Sequence, residues 1–230
     1  MLVETLFSGI SRGTERLVFE GRVPESEHAR MRGPAQEGEF PFPVKYGYCA
    51  VARVAEGARK GQPVFALHPH QTRFRLPEAA LTPLPADLPP ERAILAANME
   101  TALNVLWDSG AGAGDAIVII GAGVVGALTG YLAGRTPGTE VTLVDINADR
   151  TSLANSLGCA FATPDTAPRN ADVVIHVSAS AAGLATALNP CPAGRCLPQP
   201  SPKAHQLSGG QPAARTPPAL DLCAAYGQSA

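Results

Sequence analysis

Charge is scarce in this chain of 230 residues: 17% are Asp, Glu, Lys or Arg, and the formal net charge is −2. Nucleic acid and an anionic lipid surface therefore meet no attracting field and are not expected as partners. Cysteines number five, at positions 49, 159, 191, 196 and 223, an odd count with no Cys-x-x-Cys pair. That spacing disfavours a disulfide framework and a structural zinc knuckle, and points to a reducing, cytoplasmic compartment. The N-terminus lacks a basic stretch followed by an apolar core, so no signal peptide is read.

A membrane span is missing too, although one stretch imitates it. Residues 116–134 run for nineteen positions without a charge, close to the length that crosses a bilayer. Five of them are glycines, and a β-branched run gives way midway to small residues. A strand, a tight turn and a helix account for this better.

What is present falls into three pieces. Residues 1–95 hold short apolar runs broken by Gly and Pro, such as "YGYCAVARVAEG" and "GQPVFALHPHQTRFRLP", which predict a small all-β domain. From Pro89 the pattern turns helical, with Ile94, Leu95, Met99, Leu103 and Leu106 on one side. Across residues 96–189 strands alternate with helices ("DAIVIIG", "VGALTGYLAGR", "EVTLVDI", "ADRTSLANSLG", "ADVVIHVSA"), the pattern of a βαβ unit feeding a parallel sheet. The fold class is thus α/β plus β. Residues 190–230 carry eight prolines, no isoleucine and no valine. Such a tail buries too little apolar surface to offset its ordering entropy, so it is expected to be disordered. The strand near residues 171–179 would then be left as an open sheet edge.

The strongest local signal is "IVIIGAGVVGALTG". Gly121-x-Gly123-x-x-Gly126 directly follows an apolar strand and opens a helix. Gly121 permits the sharp turn, Gly123 lets the backbone approach a pyrophosphate, and Gly126 lets helix and strand pack closely. The helix N-terminus, with Val124 and Val125 in its first turn, supplies N–H groups for the phosphates. Asp145 ends the next strand, nineteen residues past Gly126. A carboxylate there accepts hydrogen bonds from ribose hydroxyls and repels a 2′-phosphate, which favours NAD over NADP despite Arg150 five residues on. Ile146, next to that acid, and Ser178, after the strand "ADVVIHV", complete the expected cofactor-facing set.

A β-rich N-terminal domain, a linking helix, "GDAIVIIGAGVVG" and "VDINADRTSLANSLG" together resemble the medium-chain alcohol dehydrogenase superfamily over roughly residues 4–189. "SGISRGTERLVFEG" and "VKYGYCAVARV" resemble its zinc-poor branch of bacteriochlorophyllide a dehydrogenases. The resemblance implies a GroES-like catalytic domain and a Rossmann domain, with the substrate in the cleft between them and a homodimer as a possible assembly. It also implies that both domains are incomplete here, the first lacking its opening strands and the second its later ones.

In that superfamily the loop matching "GISRGTE" holds a zinc-ligating cysteine, but the matching residue is Ser11. The histidine of the Gly-His-Glu motif is replaced by Tyr48, and "AANMETA" offers Ala97 at the third ligand position. No zinc is therefore expected, although Cys49, His68 and His70 form an alternative set with a His-Pro-His spacing. Without a metal, the substrate oxygen needs a hydrogen-bond donor. Tyr48 stands where a ligand would, and a phenol is a better acid than base at neutral pH. Ser11 and Thr14 would extend a proton relay, Glu100 is the carboxylate near the lost third ligand, and Arg12 corresponds to an arginine that reaches the cofactor pyrophosphate.

Three functions follow from the resemblance. The first is an NAD-dependent, zinc-independent oxidoreductase acting on an alcohol/ketone pair. The second is a truncated, non-catalytic chain that binds the adenosine half of the cofactor. The third is an NADPH-dependent quinone or enoyl reductase, which Asp145 disfavours.

Overall fold

The computed structural model describes residues 1–188 and 195–198. The chain divides into two compact units, one comprising Met1–Ala97 and the other starting at Asn98.

The first unit contains strands β1 (Leu2–Ser8), β2 (Glu37–Gly38), β3 (Val44–Lys45), β4 (Ala50–Val54), β5 (Pro63–Ala66), β6 (Arg73–Arg75) and β7 (Thr82–Pro83). Its helices are α1 (Thr14–Phe19), α2 (His28–Met31) and α3 (Pro90–Ala93). Five strands form one sheet in the order β6-β1-β4-β5-β7, with antiparallel neighbours throughout. Alternate residues of β4 (Ala50, Ala52 and Val54) pack with Val3, Val64, Phe74 and Leu81, as the two-residue period of a strand requires. A second apolar cluster gathers Val18, Met31, Phe40, Tyr46, Tyr48, Cys49 and Ala97. The pairing of β1 with β4 slips between Thr5 and Phe7. Such a bulge re-aims the residues that follow it, up to Ser8 at the strand end.

The helical pattern read from Pro89 is broken into α3 and α4 (Ala96–Ser109). Leu95, expected on the apolar side, falls in the break and is 38% exposed.

The second unit carries β8 (Ala116–Ile120), α5 (Val124–Ala133), β9 (Glu140–Val144), α6 (Thr151–Ser156), β10 (Ala160–Ala162), β11 (Val173–His176), α7 (Ala181–Leu188) and β12 (Arg195–Pro198). These strands make an all-parallel sheet in the order β10-β9-β8-β11-β12. The order reverses at β8 and β11, so ligands are expected at the carboxyl ends of those two strands. Both faces are covered: Ile117, Ile119, Leu143 and Ile175 join one core, and Val118, Ile120, Val144 and Val174 the other. That burial explains why the strands read as unbroken apolar runs.

The segment 190–230, expected to be disordered and to leave β11 as an edge, is described only at Arg195–Pro198, which pairs in parallel with Val173–His176. Ladder pairing uses backbone N–H and C=O groups, which do not require β-branched side chains. Pro198 closes the strand, a position where its missing N–H is tolerated. The remainder of that expectation lies outside the described residues.

Candidate functional site

At the carboxyl end of β8 the chain turns at Gly121, whose φ of +109° suits glycine. A β-carbon there would stand 2.9 Å from the backbone of Ser178, which follows β11. The Gly121 N–H donates to the Val144 carbonyl at 2.7 Å, drawing the ends of β8 and β9 together. Gly123 is different, because a β-carbon added to it would meet nothing within 4 Å. It caps α5 without a side-chain hydrogen bond, and it is exposed together with Val124. The helix start therefore presents uncapped N–H groups beside an open backbone surface, which fits a pyrophosphate.

Asp145 lies beyond the end of β9, facing this turn. Its Oδ2 accepts the Ala122 N–H at 2.8 Å, and its Oδ1 accepts the Asn147 N–H at 2.9 Å. Two backbone donors thus hold the carboxylate in one orientation while each oxygen keeps a lone pair for a ribose hydroxyl. Ile146 beside it is 88% exposed, and Arg150 is half-buried in the turn Ala148–Arg150. Across the switch point, Ser178 Oγ lies 2.8 Å from His176 Nε2 and 3.0 Å from Ser180 Oγ. Burial holds the His176 imidazole below its ordinary pKa. The Ala122 N–H bond brings Asp145 against the glycine turn. The His176–Ser178–Ser180 chain was not anticipated, because neither His176 nor Ser180 belongs to a motif.

In the first unit the polar knot "SRGTE" is the turn into α1. The Glu15 N–H donates to the Ser11 carbonyl at 2.9 Å, and the Ser11 N–H donates back to Glu15 Oε1 at 2.8 Å. Glu15 Oε2 lies 2.6 Å from His70 Nε2, and His70 Nδ1 lies 2.5 Å from Ser8 Oγ. His70 can come this close because Gly47 has no side chain: a β-carbon on Gly47, whose φ is +132°, would stand 3.0 Å from the imidazole. The Tyr48 hydroxyl is buried and donates to Thr14 Oγ1 at 3.5 Å, the outer limit of such a bond. Arg12 is exposed on the loop before α1. The half-buried Glu100 belongs to α4, and burial pushes its carboxyl pKa up.

Sequence reading singled out Ser11, Thr14 and Tyr48, weighed His70 only as a metal ligand, and did not name Glu15 or Ser8 as candidates. The signal was distance in sequence: Glu15 and His70 are 55 residues apart. Ser11 enters the network through its backbone rather than its hydroxyl.

Among the described residues, no three His, Cys, Asp or Glu side chains gather as a metal ion would require. Burial, then the Glu15 charge, pushes the Cys49 thiol up to about 12, away from the thiolate that ligates metals. His68 lies flat against Phe74, ring centroids 3.7 Å apart, with Nδ1 donating to the Pro69 carbonyl at 2.9 Å. Among the described residues, no helix is long and apolar enough to cross a membrane.

No protein-family model and no curated protein sequence matches the chain. Solved structures do. An alcohol dehydrogenase from Thermus sp. ATN1 superposes with a TM-score of 0.63 at 21% identity, covering 82% of this chain and 66% of that one. An L-idonate 5-dehydrogenase from Escherichia coli gives 0.64 at 16% identity, covering 82% and 65%. A quinone oxidoreductase from Thermus thermophilus, solved also with NADPH, gives 0.59 at 22% identity, covering 80% and 60%. The chain thus spans less than two thirds of the length of these neighbours. The fold it shares with them is a GroES-like antiparallel sheet followed by a Rossmann-like parallel sheet.

Proposed function

We propose that this chain is a nicotinamide-dinucleotide-dependent oxidoreductase of the medium-chain dehydrogenase type, preferring NAD and acting without zinc on an alcohol/ketone pair. One observation carries the reading: Asp145 is held by the N–H groups of Ala122 and Asn147 beside the open glycine turn. Gly123 and the first turn of α5 would hold the pyrophosphate. Asp145 would accept the ribose hydroxyls, with Ile146 and Val125 lining the same side and Ser178 closing the far side of the switch point. Arg12 would add a guanidinium to the phosphates.

When bound, the dinucleotide accepts or supplies the hydride. What remains for the chain is to bind the substrate, stabilise charge on its oxygen and move one proton. Tyr48 with Thr14 would donate a hydrogen bond to that oxygen, in place of a metal. Glu100, its carboxyl pKa raised by burial, would be the acid of the second unit. The replacement of the family's ligands by Ser11, Tyr48 and Ala97 supports a zinc-free mechanism, and the "SGISRGTERLVFEG" segment supports the branch of bacteriochlorophyllide a dehydrogenases.

A second reading, an NADPH-dependent quinone reductase, draws on the Thermus thermophilus enzyme of the same fold. The fixed negative charge of Asp145 opposes a 2′-phosphate and favours the first. Titration of the protein with NADH and NADPH, read by nicotinamide fluorescence, tests this. Saturable binding with NADH the tighter ligand is expected, and tighter NADPH binding would overturn the assignment.

A further inference from the structure

We propose that Ser8, His70 and Glu15 form a proton-transfer line, distinct from Tyr48, that serves the hydroxyl or carbonyl oxygen of the substrate. Three side chains from three separate segments meet here: the end of β1, the turn into α1 and the loop between β5 and β6. Ser8 Oγ is 2.5 Å from His70 Nδ1, and His70 Nε2 is 2.6 Å from Glu15 Oε2. A hydroxyl, a ring base and a carboxylate that orients the base are the parts of an activated hydroxyl.

The bonding fixes the direction of transfer. Glu15 only accepts when ionised, so His70 Nε2 carries the proton and donates to it. In the neutral ring Nδ1 then has a lone pair, and Ser8 donates its hydroxyl proton to that lone pair. Glu15 cannot swing away, because its other oxygen is held by the Ser11 N–H at 2.8 Å and its side chain is only 12% exposed. Ser8 is exposed, so it is the end of the line that an outside oxygen can touch. The Tyr48 hydroxyl is buried and donates to Thr14, a hydrogen-bonded pair separate from this line.

The proposal rests on the oxidoreductase reading, and its chemistry balances in these terms. As an alcohol is oxidised, its hydride leaves carbon with the electron pair for the nicotinamide dinucleotide. The alcohol O–H proton passes to Ser8 Oγ while the Ser8 proton passes to His70 Nδ1, leaving a ketone and an imidazolium. Glu15 stabilises that cation as the positioning residue. The imidazolium then returns one proton through Ser8 to water. Reduction runs the same path backwards, and an imidazole suits both directions near neutral pH.

The test has two readouts on the full chain. The first is two-bond 15N–1H NMR of histidine-labelled protein, with the His70 signals assigned by their loss in His70→Gln. The neutral ring should be protonated at Nε2, with Ser8→Ala moving chiefly the Nδ1 resonance and Glu15→Gln the Nε2 resonance. A ring protonated at Nδ1, or spectra unchanged by either substitution, overturns the line. The second readout is NAD-linked oxidation across a panel of secondary alcohols, alongside NADH titration. His70→Gln and Ser8→Ala should each lower kcat about a hundredfold while NADH affinity stays within twofold. Full turnover in either variant overturns the relay and leaves the oxidoreductase reading standing. A wild-type protein that binds neither dinucleotide sinks that reading and the proton transfer built on it, even where the Nε2 tautomer is found.

Discussion

Gly126 lies so close to Gly121 that a β-carbon on Gly126 would stand 1.8 Å from the Gly121 carbonyl oxygen. The first turn of α5 is pressed against the loop leaving β8, with Val177 on the far side at 3.2 Å from the same imagined carbon. Gly123, three residues earlier, has no such neighbour. One motif therefore contains a glycine that packing demands and one that only a ligand would demand.

That contrast is measurable. Gly126→Ala forces the helix away from the strand, so it should lower stability by about 1–3 kcal/mol. Gly123→Ala should leave the thermal midpoint near that of the wild type and still weaken NADH binding at least tenfold, by placing a methyl group where the pyrophosphate approaches. Calorimetric melting and NADH titration of both variants check this. Unchanged NADH affinity in Gly123→Ala would mean that the phosphates lie elsewhere.

Asp145 should set dinucleotide choice. Two unit charges about 4 Å apart repel by ~1 kcal/mol in water and by more in a partly buried site. Asp145→Ala should therefore improve NADPH binding relative to NADH at least about fivefold. Paired titrations with the two cofactors measure the ratio, and a ratio unmoved by the substitution removes Asp145 from the ribose site.

Metal analysis is a third check. Purified protein should carry far less than one zinc per chain, because the Cys49 thiol is held protonated and His68 donates to the Pro69 carbonyl. Stoichiometric zinc that is lost on Cys49→Ser contradicts this.

Stability should fall on mild acidification. His68 and His176 are both held below their ordinary pKa, chiefly by burial. The unfolded chain then binds protons at a higher pH than the folded one, so stability falls as pH drops below about 6.5, the ordinary histidine value. Thermal melts between pH 7.5 and 5.5 should show the decline, and His176→Gln should flatten it. An equally steep decline in the double variant His68→Gln/His176→Gln would assign the effect to other groups.

Pairing with β12 should protect β11. Val173–His176 is buried, and among the described residues Arg195–Pro198 is the strand that pairs with it on the side away from β8. A chain ending at Leu188 should aggregate more readily, because that removal opens a flat apolar edge. Light scattering during a temperature ramp compares the two chains. Equal aggregation onsets would show that the pairing protects nothing.

Much of this protein could be read without coordinates wherever the determining residues are contiguous. The strand, glycine turn and helix from Ala116 to Ala133 form one local device, and Asp145 follows from the length of a single βα unit, so spacing alone placed them. The apolar runs "AIVII" and "VVIH" announced strands buried on both faces for the same reason. The pairing of β12 escaped that reading because backbone groups make it, and composition does not report on them. The contact of His70 with Glu15 and Ser8 escaped it because three segments have to be brought together. Antiparallel pairing of β1 with β4 and β6, the bulge before Ser8 and the bare backbone at Gly47 do this. Local sequence determined the strand, glycine turn and helix to which we assign the nucleotide. Only tertiary structure decided which histidine stands between a carboxylate and an exposed hydroxyl, since hydrogen bonds of under 3 Å depend on the register of strands far apart in the chain.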